Sequence, residues 1–276
     1  MTARSPRPRP RPTPRPHPTP DVVADVQLRG RAGPQATRVH WPAPTGAGRP
    51  PALLVLVPGG TGAGRPDAAD PLCRALCRHL GVVVLAVRGR PAREPSEAGR
   101  SEDAGRSEDA VTATRWAADH AAELGAAPGR LVVAGDAVGS RFAAAVALQA
   151  HAEGWPPLGR QVLIRPDLGM WPAPATAAAA RPPAVHPRGL AGVAPATVIV
   201  AGDDDPGAHD GHRYAALLRR AGVHVDVLRC PGLAHHPAAP LAASAAEPIA
   251  RDLARSLGPA LDAPAPGPGP HGDVPA

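Results

Sequence analysis

The stretch Leu131-Val132-Val133-Ala134-Gly135-Asp136-Ala137-Val138-Gly139 decides the fold. Its first four residues form a buried-looking strand. The small apolar run Phe142-Ala143-Ala144-Ala145-Val146-Ala147-Leu148 that follows reads as a helix. A strand, a tight glycine turn and a helix are the setting of a nucleophile elbow, Gly-x-Ser-x-Gly. The glycines let the turn close sharply, and the central residue is pushed out at the C-terminal end of the strand. Here that central residue is Ala137.

Outward from this turn, strands and helices alternate. Leu53–Val57 is a continuous apolar run ending at Pro58-Gly59-Gly60, and Val82–Val87, Gln161–Ile164, Thr197–Val200 and Val223–Leu228 are further runs. With Leu131–Ala134 they make six short strands separated by helical segments, which implies a mostly parallel sheet covered on both faces. Asp70-Pro71 is expected to open a helix, with Asp70 capping it and Pro71 in its first turn. Leu72, Leu76 and Leu80 share one face of that helix, and Gly81 stops it. A second helix is expected over Ser107–Leu124, another over Asp210–Ala221, and a last one carries Ile249, Leu253 and Leu257. Two more polar strands, near Val22–Leu28 and Thr37–Trp41, are expected as an antiparallel edge. The hexapeptide Gly-Arg-Ser-Glu-Asp-Ala at 99–104 recurs unchanged at 105–110. Six residues is no structural repeat period, so the copy lengthens a loop or adds a turn to the following helix.

Composition bounds the function classes. The net charge is +6, but residues 1–20 hold five Arg and no acid. Without those five charges the remainder carries +1, so the basicity belongs to a tail and not to a domain face. This tail alternates Pro with Arg or small residues and cannot bury apolar area. Its arginines offer nonspecific attraction to polyanions, and no specific nucleic-acid partner is expected. Residues 263–276 form a second Pro/Gly-rich tail, which leaves 21–262 as the domain. No hydrophobic stretch follows the N-terminal charges as a secretory signal requires, and no run is long enough to span a membrane. The three cysteines, Cys73, Cys77 and Cys230, lack the spacing of a metal site and read as buried, reduced thiols of a cytoplasmic protein.

From about Val22 to Leu257 the chain resembles the hormone-sensitive-lipase-like branch of the α/β-hydrolase carboxylesterases. The segments Asp109-Ala110-Val111 to Trp116, Leu124-Gly125 and Gly129 to Asp136 match the approach to that family's elbow, Gly-Asp-Ser-Ala-Gly-Gly. Here Ala137 stands for the serine and Ser140 for the last glycine. The resemblance implies an α/β-hydrolase fold with a sheet of about eight strands and no cofactor. It implies that Asp205, in Asp205-Pro206, is the catalytic acid, with Tyr214 at the family's spacing behind it. His235, in Gly232-Leu233-Ala234-His235, is the implied base. Pro58-Gly59-Gly60-Thr61 takes the place of the family's His-Gly-Gly-Gly oxyanion motif. The connection from Ile164 to Thr197 is short and rich in Ala and Pro, including Ala177–Ala180, so the cap is reduced and the substrate pocket open.

These parts belong to one chemistry. Ester hydrolysis needs an oxygen nucleophile, a base to take its proton and an acid to orient the base. Backbone N–H groups then stabilise the oxyanion, here those of Gly59, Gly60 and Val138. With Ala137 at the apex, His235 has only water to activate. Asp136 is one residue off the apex and Ser140 about a turn beyond it, so neither is placed to replace the serine. Each site residue also has a plainer reading. His235 adjoins His236 in a chain with twelve histidines, Asp205 lies in Asp203-Asp204-Asp205, and a Gly-rich strand end is common. No Gly-Lys-Ser/Thr follows Gly59-Gly60, which excludes a phosphate loop. Three functions remain open: a non-enzymatic protein binding a small acyl or hydrophobic ligand, a weak esterase of altered mechanism, and a decaying hydrolase.

Overall fold

The computed structural model describes residues 22–30, 33–44, 49–59, 68–88, 100–169, 189–200, 206–230, 233 and 241–261. Among these, eight strands and five helices alternate after an N-terminal hairpin. The strands are β1 (Val23–Gly30), β2 (Gly33–His40), β3 (Leu53–Val57), β4 (Val83–Val87), β5 (Leu131–Asp136), β6 (Arg160–Ile164), β7 (Ala196–Val200) and β8 (Val225–Arg229). The helices are α1 (Asp70–Leu80), α2 (Arg100–Asp119), α3 (Val138–Glu153), α4 (Pro206–Arg220) and α5 (Ala243–Leu261). The strands form one sheet in the order β1-β2-β4-β3-β5-β6-β7-β8. The β1–β2 hairpin is antiparallel and joins β4 antiparallel, while every pairing from β4 to β8 is parallel. The antiparallel edge and the parallel body both match the expectation from sequence.

The central strands are apolar throughout because both faces are covered. Leu53, Val55 and Val57 of β3 point into a core shared with α2, α3 and α4, and Leu54 and Leu56 into a second core under α1 and α5. The period of two in a strand makes this division automatic. Cys73 and Cys77 are buried in the second core, as expected of two residues four apart on one helix face.

Several boundaries differ from the sequence reading. Asp70 does not cap α1. The cap position belongs to Ala69, without a side-chain hydrogen bond, and the Asp70 carboxylate instead accepts from Arg38 Nη1 at 3.0 Å. Pro71 is in the first turn and Gly81 ends the helix in the left-handed region (φ 65°), as expected. The second helix starts at Arg100 rather than Ser107, so the duplicated hexapeptide extends a helix and does not lengthen a loop. Its regular part stops at Asp119, and hydrogen-bonded turns carry the chain on to Gly125. The helix expected from Asp210 starts four residues earlier, at Pro206, and the last strand starts at Val225 rather than Val223. Both tails, most of the β6–β7 connection expected to be a reduced cap, and residues 60–67 lie outside the described residues.

Candidate active site

The site is built where three C-terminal strand ends meet. Strand β5 delivers Asp136, a single residue makes the turn, and α3 begins at Val138. That single residue is Ala137, at φ 48° and ψ −121°. A non-glycine residue with positive φ is strained, and such strain persists only where surrounding structure over-determines it. Here the determinants are visible. The Ala137 N–H donates to Ile164 O at 2.9 Å, and its carbonyl accepts from the N–H of Ser140 at 3.0 Å and of Asp167 at 3.2 Å. Ala137 is 1% exposed.

Three glycines allow the backbones to close on this turn. A Cβ on Gly135 would lie 2.3 Å from Gly139 O. One on Gly139 would lie 2.0 Å from Val57 O, at the end of β3. One on Gly59 would lie 2.1 Å from Asp136 O and 3.0 Å from the Ala137 Cβ. Gly59 and Ala137, separated by most of the β3–β5 chain, are thus in direct juxtaposition. The first N–H groups of a helix have no partner inside it, and Val138 supplies the first of α3.

The two side chains beside the apex with chemical potential are committed elsewhere. Ser140 is buried, and its hydroxyl lies 2.9 Å from Gly135 O and 3.1 Å from Ile164 O, donating its one proton to either carbonyl. Asp136 is 5% exposed and meets Arg165 in a two-pronged pair, Nε to Oδ1 at 2.9 Å and Nη2 to Oδ2 at 2.7 Å. Both findings agree with the expectation that neither residue replaces a serine. Tyr214 is buried as well. Its hydroxyl donates to Gln161 Oε1 at 3.0 Å, and burial pushes the phenol well above its ordinary range, so it supports the core and does not titrate. Burial likewise raises the Cys73 and Cys230 thiols, which favours their protonated form at neutral pH.

Among the described residues no group of three His, Cys, Asp or Glu side chains is placed to hold a metal ion. None of the described helices is long and apolar enough to cross a membrane. Of the residues singled out in the sequence, Ala137, Val138 and Gly59 are placed together at the turn. Gly60, Asp205 and His235 lie outside the described residues.

Arg165 escaped the sequence reading. Strand register would have revealed it, because Asp136 pairs with Ile164 across β5 and β6, which puts Arg165 one residue past the same level. Asp167 was missed too. It holds the Ala137 carbonyl through its N–H and pairs with Arg141 of α3 at 3.3 Å.

Known proteins resemble this chain in sequence and fold. A family model for the α/β hydrolase fold matches residues 54–181 and 167–238. Esterase LipI of Mycobacterium tuberculosis is 36% identical over 244 residues, which cover 77% of this chain and 74% of the relative. Carboxylic ester hydrolase LipN of the same organism is 32% identical over 247 residues, 77% of this chain and 63% of the relative. Among solved structures, an esterase of Pyrobaculum calidifontis superposes with a TM-score of 0.70 at 27% identity, covering 88% of this chain and 86% of that one. On the strength of the matched residues, the eight-stranded sheet and the strand–turn–helix at Ala137, this chain belongs to the α/β hydrolase fold family and is similar to its carboxylic ester hydrolases.

Proposed function

We propose that this chain is an ester-recognising α/β hydrolase whose serine chemistry has been lost at Ala137, so that catalysis is impaired or absent. The observation that carries the reading is the turn itself. Ala137 holds φ 48° between β5 and α3, with Gly59 packed against it, yet its side chain ends at a methyl group. A covalent acyl intermediate needs an oxygen or sulfur there, and an alanine has neither. Asp205 and His235 are the acid and base of this reading, and the N–H groups of Gly59, Gly60 and Val138 its oxyanion hole.

The ligand is a small acyl ester or another compact hydrophobic molecule, since the short β6–β7 connection leaves little surface to bury a long chain. A structurally similar esterase carrying a serine-to-alanine mutation was crystallised with (S)-Ac-CPA. That precedent supports ligand binding by such a scaffold when one of its serines is replaced by alanine. Three free, buried cysteines fit a reducing, cytoplasmic setting. The folding unit is residues 21–262, with both Pro-rich tails dispensable.

The test is hydrolysis of p-nitrophenyl acetate. The natural chain is expected to be inert or nearly so. Ala137→Ser is expected to create turnover that disappears with the further change His235→Ala. Serine-like turnover by the natural chain, at about 1–10³ per second, would overturn the reading.

A further inference from the structure

We infer that Arg106, on α2, is a positioning residue that sets the direction of the Gly59 N–H, and so tunes the oxyanion hole from outside it. The inference rests on the proposed reading of Gly59 as an oxyanion donor.

The argument begins with one peptide plane. The Arg106 Nη2 donates to the carbonyl of Pro58 at 2.9 Å. That carbonyl and the N–H of Gly59 belong to the same peptide group. A trans peptide is rigid, with its C=O and N–H pointing in opposite directions. Anchoring the Pro58 oxygen therefore fixes the Gly59 N–H on the far side of the plane, directed away from Arg106.

The guanidinium is itself held. Its Cζ sits 5.0 Å from the centroid of the Phe142 ring, a cation–π distance. Phe142 lies on α3, the helix that starts at the elbow, and is 2% exposed. Arg106 thus couples the β3 end to the elbow helix through two contacts at right angles in function: one sets the peptide, the other sets the arginine. The same strand end is pressed from a third side by Gly139, whose added Cβ would lie 2.0 Å from Val57 O and 3.0 Å from the Pro58 carbonyl carbon. The Pro58–Gly59 peptide is accordingly fixed by a hydrogen bond on one side and backbone packing on the others. Proline at 58 has no N–H of its own to donate, so the carbonyl is the polar handle that this residue offers. Arg106 falls in the second copy of the duplicated hexapeptide, and α2 must be helical through that copy to present it.

Two experiments test the assignment. In the Ala137→Ser protein, Arg106→Leu is expected to lower kcat for p-nitrophenyl acetate by about 10²-fold, the loss typical of a removed oxyanion donor. KM should move little, because the ground-state ester gains less from the hole than the developing oxyanion. Arg106→Lys retains a donor able to reach Pro58 O and should recover much of that rate, which a merely structural role would not distinguish. Separately, a crystal structure of the Arg106→Leu change in the natural chain should show the Pro58–Gly59 peptide rotated. Arg106→Met, which keeps the aliphatic stem and has no donor, replaces the leucine variant if that one does not fold. An unmoved peptide overturns the inference whatever the rate, and so does an unchanged kcat. If the Ala137→Ser protein is itself inert, the proposed function fails while the crystal structure still decides the role of Arg106.

Discussion

The elbow and the β1–β2 edge both carry Arg–Asp pairs and glycines, but they use them in opposite ways. At the elbow the Asp136–Arg165 pair is shut inside, with side chains 7% and 3% exposed. At the edge Arg38 meets Asp25, whose side chain is 56% exposed, and Arg88 shares the same carboxylate at 3.1 Å. Elbow glycines are there because a Cβ has no room. The edge glycine Gly33 has open space around it and is required only by its φ of 111°. Similar residues therefore face different penalties. The elbow is over-determined by contact, whereas the edge is determined by local conformation and by water.

The largest effect should separate the two kinds of glycine. Gly139→Ala drives a methyl group to 2.0 Å from the Val57 carbonyl oxygen, where backbone must move. A loss of about 5 kcal/mol or more is expected, enough to unfold most of the protein in a thermal melt. Next, Arg165→Met leaves Asp136 buried without its cation, at an expected cost of about 3–5 kcal/mol by urea denaturation. Adding Asp136→Leu should return much of that loss, and a double variant as unstable as the single one would show that the pair is not the determinant. Gly33→Ala, the edge counterpart of Gly139→Ala, should cost about 1–3 kcal/mol, because conformation and not collision opposes it. A cost equal to that of Gly139→Ala would erase the contrast.

The smallest effect is electrostatic. The hydrogen bond from Arg38 is the largest influence and holds the Asp25 carboxyl below its ordinary value of 3.8; desolvation, the next largest, opposes it, and the charges of Arg88 and Arg38 add to the lowering. A carboxyl with a lowered folded pKa stabilises the fold above its unfolded value and loses that contribution as the pH falls through the folded one. Asp25→Asn should therefore cost less than about 1 kcal/mol at neutral pH, since exposed pairs are screened. The gap between variant and natural chain should narrow as the solution is acidified below about pH 4. A gap that widens with acid would contradict the sign.

What could be read from the sequence was what a strand or helix announces by itself. The six apolar runs became β3 to β8, of which β3 to β7 are buried along their whole length and β8 is a half-buried edge, and the elbow stood out because glycines flank a strand end. The start of α2 was misplaced because Gly-Arg-Ser-Glu-Asp-Ala looks like turn material, although a glycine within a helix costs only about 1 kcal/mol and the helix absorbs it. Asp-Pro so often opens helices that the sequence points to Asp70 as a cap, but Arg38 from β2 offers a stronger, charged partner. Arg165 and Asp167 come from a segment far away in sequence and are brought to the turn by the β5–β6 register, whereas Arg106 reaches Pro58 through the packing of α2. Sequence resemblance, not geometry, still carries the roles of Asp205 and His235.

The held turn at Ala137 also bears on inheritance. Alanine and serine codons of the GCN and UCN sets differ by a single base. The φ of 48° is held by backbone hydrogen bonds with Ile164, Ser140 and Asp167 and by three close-packed glycines, and those hydrogen bonds do not involve the side chain of residue 137. A lineage that carries this gene thus stands one point mutation from an oxygen at the apex, on a backbone whose hydrogen bonds are already in place.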